Sequence, residues 1–132
     1  GNCPRYPMLF PELNVGVAPF EAGYRLGSMM EVVGYDTRIP EHRIQQLRDS
    51  AKPYLVEPFT DAIQDIWYGW RPMTWDSLPI IGRLPTLGNT HIATGHNMLG
   101  VSLATGTGKL VAELVAGKTT HLDARPFSPN RF

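Results

Sequence analysis

Prolines and glycines are distributed along the whole chain and limit the length of any helix or strand. The 132 residues include 12 prolines and 13 glycines. Proline lacks a backbone donor, and glycine loses the most conformational freedom on folding, so both interrupt regular elements. The sequence therefore predicts short elements joined by many turns.

The composition is that of a globular protein with one core. Hydrophobic residues make up 42% and charged residues 18% of the chain. Its length suffices for one domain with a single core, or for two interleaved layers, but not for two full domains. The net charge is zero, so we expect no nucleic-acid partner. The single cysteine, Cys3, excludes an internal disulfide and is typical of a reducing compartment, so a cytoplasmic protein is expected. We see no signal peptide and no apolar run of about 18 residues, so no membrane span is expected.

In the first half, two apolar runs and one amphipathic segment predict a hairpin and a helix. The runs Val15–Phe20 and 24–35 are joined by the turn-like residues 21–23 and predict two antiparallel strands. Pro40 then opens a helix, a position where its missing N–H costs little. Pro53 disfavours helical angles at Lys52, so this helix should end near Ala51 or Lys52.

The second half predicts two strands and a closing helix. Residues 66–70 and 90–94 have the character of short strands, and residues 102–116 that of a helix ended by Gly117 in the left-handed conformation. Small residues recur every fourth position along this helix, and such a row permits close approach of another backbone. They are Ala104, Gly108, Ala112 and Ala116.

Two familiar motifs fail on inspection. Residues 106–109 resemble a phosphate-binding loop, but Leu103 and Leu110 occupy positions that require glycine and a hydroxyl residue. His91 and His96 have no acidic or cysteine neighbours with ligand spacing, so no metal site is expected.

Arg71 is the strongest candidate for chemistry. It stands among aromatic residues and a proline, where an unpaired guanidinium would be expensive to bury. Its planar fork matches a carboxylate through two parallel hydrogen bonds. The alternative is an internal ion pair, for which Asp76 and Asp65 are the nearest partners in sequence.

A second candidate is the glycine-bounded loop 95–100, which leads into the final helix. Free backbone N–H groups and the positive end of the helix dipole suit an anion or a polarised carbonyl there. The alternative is that the loop only turns the chain between a strand and a helix.

Five segments together resemble the FAD-dependent D-amino-acid dehydrogenases of the D-amino-acid oxidase superfamily, and similar segments occur in glycine oxidase. They are Tyr24-Arg25-Leu26-Gly27-Ser28, Gly69-Trp70-Arg71-Pro72-Met73-Thr74-Trp75-Asp76, Pro79-Ile80-Ile81-Gly82, Gly95-His96-Asn97-Met98-Leu99-Gly100 and Arg131-Phe132. Each piece is common alone, but their order and spacing are specific as a set.

The resemblance implies roles for individual residues. Arg71 would bind the substrate carboxylate beside the flavin of FAD, and Trp70, Trp75 and Met98 would form pocket walls. The residues implied to contact the flavin are Gly69, His96, Asn97, Met98, Leu99, Gly100, Val101 and Ser102. The intact enzyme would oxidise the amine of a D-amino acid to an imino acid, which hydrolyses to a 2-oxo acid.

The resemblance also implies an α+β architecture in two parts. Residues 1–68 would be the latter part of a substrate-binding domain, an antiparallel sheet section with a covering helix. Residues 69–132 would be the C-terminal strand and helix of a FAD-binding domain. No Gly-x-Gly-x-x-Gly turn is present. We therefore expect a fragment that needs an N-terminal dinucleotide-binding half as its partner. Alone it should be inactive, bind FAD poorly and self-associate through exposed apolar surface.

The sequence leaves alternatives open. The substrate could be a secondary amino acid such as sarcosine or hydroxyproline, or the chain could be a non-catalytic ligand-binding or interaction module. The parent protein could also attach peripherally to the inner face of the cell membrane. Three positions depart from related oxidases. Met98 stands where glycine oxidase has an arginine, and Gly16 stands where related oxidases can have a substrate-binding tyrosine. Trp75 replaces the proline that usually follows the position of Thr74.

Overall fold

A computed structural model describes residues 3–27, 29–56 and 63–132. The chain divides into two compact units, Gly1–Gly69 and Trp70–Phe132. Two antiparallel sheets and two helices give the α+β class that the sequence predicts. The assignment of residues 1–68 and 69–132 to substrate-binding and FAD-binding domains stays a prediction.

The first unit contains a three-stranded antiparallel sheet in the order β1-β2-β3. The strands are β1 (Met8–Phe10), β2 (Val15–Phe20) and β3 (Gly23–Gly27). The predicted hairpin is β2 and β3, but the prediction that its second strand continues to Tyr35 is wrong for residues 29–35, and Ser28 lies outside the described residues. The register gives the reason: Gly27 pairs with Gly16, so β2 has almost no length left to pair with a longer strand.

The core of this unit lies between the sheet and helix α1 (Glu41–Ala51). Val15 and Val17 point to the same face of β2, two residues apart, and are buried together with Ala51 of the helix. The helix begins after Pro40 and ends at Ala51, which confirms the predicted bounds.

The strand predicted at residues 66–70 is absent. Residues 63–70 are exposed and form no ladder with any described strand. The guanidinium of Arg25 lies 5.1 Å from the Phe20 ring and 5.6 Å from the Trp67 ring. Trp67 of this segment is therefore engaged in a cation–π contact and not in a strand ladder.

The second unit combines a two-stranded antiparallel sheet with a long helix. Its strands are β4 (Ile80–Arg83), which the sequence reading did not identify as a strand, and β5 (His91–Thr94), which was predicted within one residue. Helix α2 (Gly100–Val115) packs on both strands, with Leu110 of the helix and Ile81 of β4 buried.

The C-terminal end of α2 is a Schellman motif, as the glycine there predicts. Gly117 has φ +62°, its N–H donates to Leu114 O at 3.2 Å, and the N–H of Lys118 donates to Glu113 O at 2.9 Å. Only glycine adopts this conformation without steric cost.

The small-residue row of α2 makes no close approach to another described segment. Ala104, Gly108 and Ala112 are exposed, and no atom lies within 4 Å of where a Gly108 Cβ would be. By length and composition alone, the 19 residues Asn97–Val115 are apolar enough to cross a membrane, and the expectation that no segment spans one stays a prediction. A single such helix is weak evidence, because core helices of globular proteins meet the same criterion.

Candidate substrate and flavin site

The loop before β4 is closed by its own hydrogen bonds. The Ser77 N–H donates to Thr74 O at 3.2 Å, and Ser77 adopts φ +61°. The Thr74 hydroxyl donates to Leu78 O at 2.7 Å, and the Leu78 N–H donates to Asp76 Oδ1 at 3.1 Å. A side chain of Asp that accepts from the amide two residues on is the usual way such a turn is fixed. Arg71 therefore lies three residues before a turn that is closed by hydrogen bonds.

The carboxylate of Asp76 forms an ion pair with the guanidinium of Arg131. Nε of Arg131 donates to Oδ2 at 2.7 Å, and Nη2 donates to Oδ1 at 3.0 Å and to Leu78 O at 2.7 Å. The side-chain hydrogen bonds from Arg131 are the main reason that the pKa of Asp76 lies well below its usual range. The ion pair of Asp76 with Arg71, which the sequence left open, is therefore not formed.

Arg71 itself is exposed and makes no hydrogen bond or ion pair with any other residue of its own unit, 70–132; the pairing with Asp65, a residue of the first unit, stays an open alternative. An arginine that the scaffold does not use is free to take an external anion. That it binds a substrate carboxylate stays a prediction.

The charge balance of the second unit supports the same reading of Arg71. Residues 70–132, all of them described, contain three acidic and six basic side chains. Each acidic side chain already has a basic or histidine partner within the unit. The pairs are Asp76 with Arg131, Glu113 with His121 and Asp123 with Arg125. No acidic side chain of this unit remains unpaired to neutralise Arg71.

Two contacts fasten the loop 95–99 to the loop that carries Arg71. Gly95 has φ +78°, and a Cβ there would lie 2.6 Å from Thr74 Cγ2, so only glycine permits this approach. The Asn97 N–H donates to Pro72 O at 3.1 Å, with Asn97 in the left-handed region at φ +53°. The two segments that the sequence singled out separately are therefore neighbours.

His96 is anchored on α2. Its Nε2 lies 2.9 Å from the Thr107 hydroxyl, and this part-buried pair ties the loop to the second turn of the helix. The imidazole is thus engaged by the protein. The N–H groups of Asn97 and Leu99 also have acceptors, Pro72 O and His96 O, so the donors without a side-chain acceptor are those at the start of α2.

The residues around the start of α2 fit one edge of a flavin ring. No side chain caps the helix, so its first N–H groups have no side-chain acceptor. The carboxamide Oδ1 of Asn97 is enclosed and has no donor among the described residues. Val101 is 93% exposed and Met98 72% exposed. The pyrimidine side of a flavin offers carbonyl acceptors and an N–H donor next to an apolar ring, so donors, acceptor and apolar surface all match.

The other predicted site residues are exposed. Trp75 is 97% and Trp70 59% exposed, so their role as pocket walls stays a prediction. Gly69 is the last residue of the first unit, whereas every other predicted site residue lies in the second. Two cavities along α1 contain none of them.

Sequence reasoning missed the residues that hold the site in place. Arg131 was noted only as part of the family pattern, and Thr107 only within a failed phosphate-loop motif. The Thr74-x-Asp76-x-Leu78 spacing is a recognisable turn signal. No local signal indicates the partners of Arg131 and Thr107, because both contacts join distant parts of the sequence.

Comparison with known proteins identifies the class. A family model described as FAD dependent oxidoreductase (DAO) matches residues 2–114. The chain belongs to this family of FAD-dependent oxidoreductases.

Individual relatives agree with the family. The chain is 33% identical over 131 residues to a D-amino acid dehydrogenase of Neisseria meningitidis, which covers 99% of this chain and 31% of the relative. It is 39% identical over 111 residues to an uncharacterised oxidoreductase of Halorhodospira halophila, covering 82% of this chain and 50% of the relative.

A solved structure shares the fold. The crystal structure of glycine oxidase from Geobacillus kaustophilus matches with a TM-score of 0.74 and 30% identity, over 90% of this chain and 32% of that one. The chain thus spans 31% to 50% of the length of these similar proteins.

Proposed function

We propose that the natural protein carrying this chain oxidises the amine of a D-amino acid to an imino acid, which water hydrolyses to a 2-oxo acid. Family membership supports the redox class, and similarity to D-amino acid dehydrogenases supports the substrate class. One observation carries the proposal: the Arg71 guanidinium has no partner within its own unit, 70–132, where every acidic side chain is already paired.

Arg71 binds the substrate carboxylate in this proposal. Two parallel N–H donors fix the position and rotation of a carboxylate, and therefore of the α-carbon attached to it. The turn that follows Arg71 and the Asn97–Pro72 hydrogen bond limit movement of the backbone beneath the guanidinium. Positioning of this kind accounts for a large part of the rate in reactions that need no protein acid or base.

The loop and the start of α2 hold the flavin. Gly100 to Ser102, in the first turn of α2, provide N–H donors without a side-chain cap, Met98 and Val101 are exposed apolar side chains, and the helix dipole favours negative charge at this end. Bound FAD supplies the two-electron acceptor for the hydride that leaves the α-carbon, while the amine proton goes to solvent. The remaining FAD contacts come from a dinucleotide-binding half, so the isolated chain should bind FAD weakly and be inactive.

Variants of Arg71 in the natural, FAD-loaded protein test the proposal. A lost charge-assisted contact of about 2–3 kcal/mol corresponds to a ~30- to 150-fold loss of kcat/KM for Arg71→Ala. Arg71→Lys should recover only part of this, because lysine has no planar fork. Arg125→Ala removes the same side chain from an exposed local pair and serves as the control, with unchanged kinetics expected.

A panel of substrates distinguishes the alternatives. The turnover rates of D-amino acids, L-amino acids, sarcosine and hydroxyproline are measured and compared. Every assay contains the same artificial electron acceptor. Faster turnover of the secondary amines would replace the D-amino-acid assignment, and a protein without a flavin spectrum would support a non-catalytic module. Unchanged kinetics in Arg71→Ala would remove Arg71 from the site.

A further inference from the structure

We infer that Arg131 is a positioning residue that keeps Arg71 open for its ligand by holding the carboxylate of Asp76. This inference rests on the proposed function, because it assumes that Arg71 binds a carboxylate.

Asp76 is the acidic side chain closest in sequence to Arg71 within their unit. They are five positions apart, and Asp76 lies within the turn Thr74–Ser77. An aspartate so placed is a natural internal partner for an arginine, and a captured Arg71 would have no fork left for a substrate.

Arg131 prevents this capture by occupying both oxygens of Asp76. Its Nε and Nη2 hold Oδ2 and Oδ1 at 2.7 and 3.0 Å, in the bidentate geometry that is strongest for such pairs. The carboxylate also accepts the Leu78 N–H at 3.1 Å, which fixes its direction.

Arg131 is itself firmly held. Its side chain is only 12% exposed, its Nη1 donates to Ser128 O at 3.3 Å, and its guanidinium lies 4.5 Å from the Phe132 ring. The second Nη2 bond, to Leu78 O, attaches it to the backbone beside Asp76. The guanidinium of Arg131 is therefore held in place where it binds Asp76, whereas no contact within unit 70–132 holds the guanidinium of Arg71.

The test compares two ways of breaking the same pair in the natural, FAD-loaded protein. Arg131→Met leaves a charged Asp76 without its partner, and Asp76→Asn removes the competing charge together with the pair. Calorimetry with propionate measures carboxylate binding directly. We expect Arg131→Met to weaken propionate binding by about tenfold or more, Asp76→Asn to stay within about threefold of wild type, and the double variant to regain most of the loss.

A purely structural role for the pair predicts another pattern. Equal losses in Arg131→Met and Asp76→Asn, or no loss in Arg131→Met, would overturn the inference. Should Arg131→Met not fold, Arg131→Lys replaces it. Lysine keeps the charge but not the planar fork. The propionate affinity of Arg131→Lys is then expected to lie between those of wild type and Arg71→Ala. An affinity equal to that of wild type would count against the inference.

Failure of the proposed function has its own signature. If wild type does not bind propionate, or Arg71→Ala binds it as well as wild type does, the proposed role of Arg71 is wrong and this inference falls with it. If wild type binds and Arg71→Ala does not, the proposed function stands and the Arg131 and Asp76 variants alone decide the inference.

Discussion

The backbone N–H of Asn97 donates a hydrogen bond to the carbonyl of Pro72 at 3.1 Å, and this bond joins the loop before α2 to the residue beside Arg71. The loop before α2 is the candidate flavin contact, and Arg71 is the candidate carboxylate ligand. A backbone bond between them fixes their separation independently of any side-chain rotamer. In the proposed reaction, substrate and flavin would have to meet at a defined distance for hydride transfer, and this bond would help to set the distance between the two backbone segments.

The pair of Asp76 with Arg131 makes stability depend on pH in the acid range. The folded state lowers the pKa of Asp76 through the hydrogen bonds from Arg131, so the pair stabilises fully above the ordinary aspartate pKa of about 3.9. Its contribution is lost as the pH falls from there towards the folded-state value. Urea unfolding of wild type and Asp76→Asn should show a difference at pH 7 that shrinks below pH ~4.

Asp123→Asn is the matched control for that experiment. Asp123 pairs with Arg125, but these side chains are 51% and 91% exposed and only two residues apart, so water screens them. Its effect on the free energy of unfolding should be smaller at every pH. A difference for Asp76→Asn that is constant between pH 7 and 3 would contradict the assignment.

Gly95 is predicted to be the least replaceable glycine of the second unit. In Gly95→Ala the φ of +78° is strained, and the new Cβ would meet Thr74 Cγ2 at 2.6 Å. We expect a loss of about 2–4 kcal/mol in the free energy of unfolding, the sum of backbone strain and overpacking. Adding Thr74→Ser removes the methyl group but keeps the hydroxyl that binds Leu78 O, so part of the loss should return.

Gly117→Ala separates the two causes. Gly117 has φ +62° but no atom within 4 Å of its Cβ position, so it reports the conformational strain alone, about 1 kcal/mol. Equal losses at both positions, or no recovery with Thr74→Ser, would show that the contact with Thr74 is unimportant.

The sequence predicted those elements whose causes are local. Helix α1 begins after one proline and ends before another, and Gly117 ends α2, because these residues restrict their own backbone angles. The strand predicted to reach Tyr35 failed because its length depends on the partner strand, which is almost exhausted where Gly16 meets Gly27. Residues 66–70 have strand-like composition but no described neighbour to pair with.

The same distinction applies to the candidate site. Arg71 and the glycine-bounded loop are conspicuous in the sequence because their residue types are unusual in such surroundings. Whether Arg71 was paired internally could not be decided from the sequence, since the answer depends on Arg131, 55 residues beyond Asp76. Contacts of this range follow from the tertiary fold.

The His96–Thr107 hydrogen bond should stabilise the loop that is proposed to contact flavin. Thr107→Val keeps the shape of the side chain but removes the hydroxyl 2.9 Å from Nε2, for an expected loss of about 1 kcal/mol. Thermal unfolding of the FAD-loaded protein, together with flavin release followed by absorbance, measures both consequences.

Thr105→Val is the control for this change, since Thr105 is an exposed threonine of the same helix. Both variants introduce the same β-branched residue, so helix propensity cancels in the comparison. Equal stability and equal flavin retention in the two variants would mean that the His96 contact has no energetic role.

Glu113 should support the C-terminal end of α2 at neutral pH. Its Oε2 accepts the backbone N–H of His121 and lies 2.8 Å from Nδ1 of the same residue, while its Oε1 lies 3.9 Å from Nζ of Lys109. The side-chain hydrogen bond from His121 is the main cause of the lowered pKa of Glu113. The stabilising effect is therefore complete above the ordinary glutamate pKa of about 4.3 and declines as the pH falls below it. Hydrogen exchange at the Lys118 amide, which closes the helix, should be faster in Glu113→Gln than in wild type at pH 7. The two rates should approach each other as the pH falls below the ordinary glutamate pKa of about 4.3. Rates that already agree at pH 7 would show that the helix end is held by its glycine motif alone.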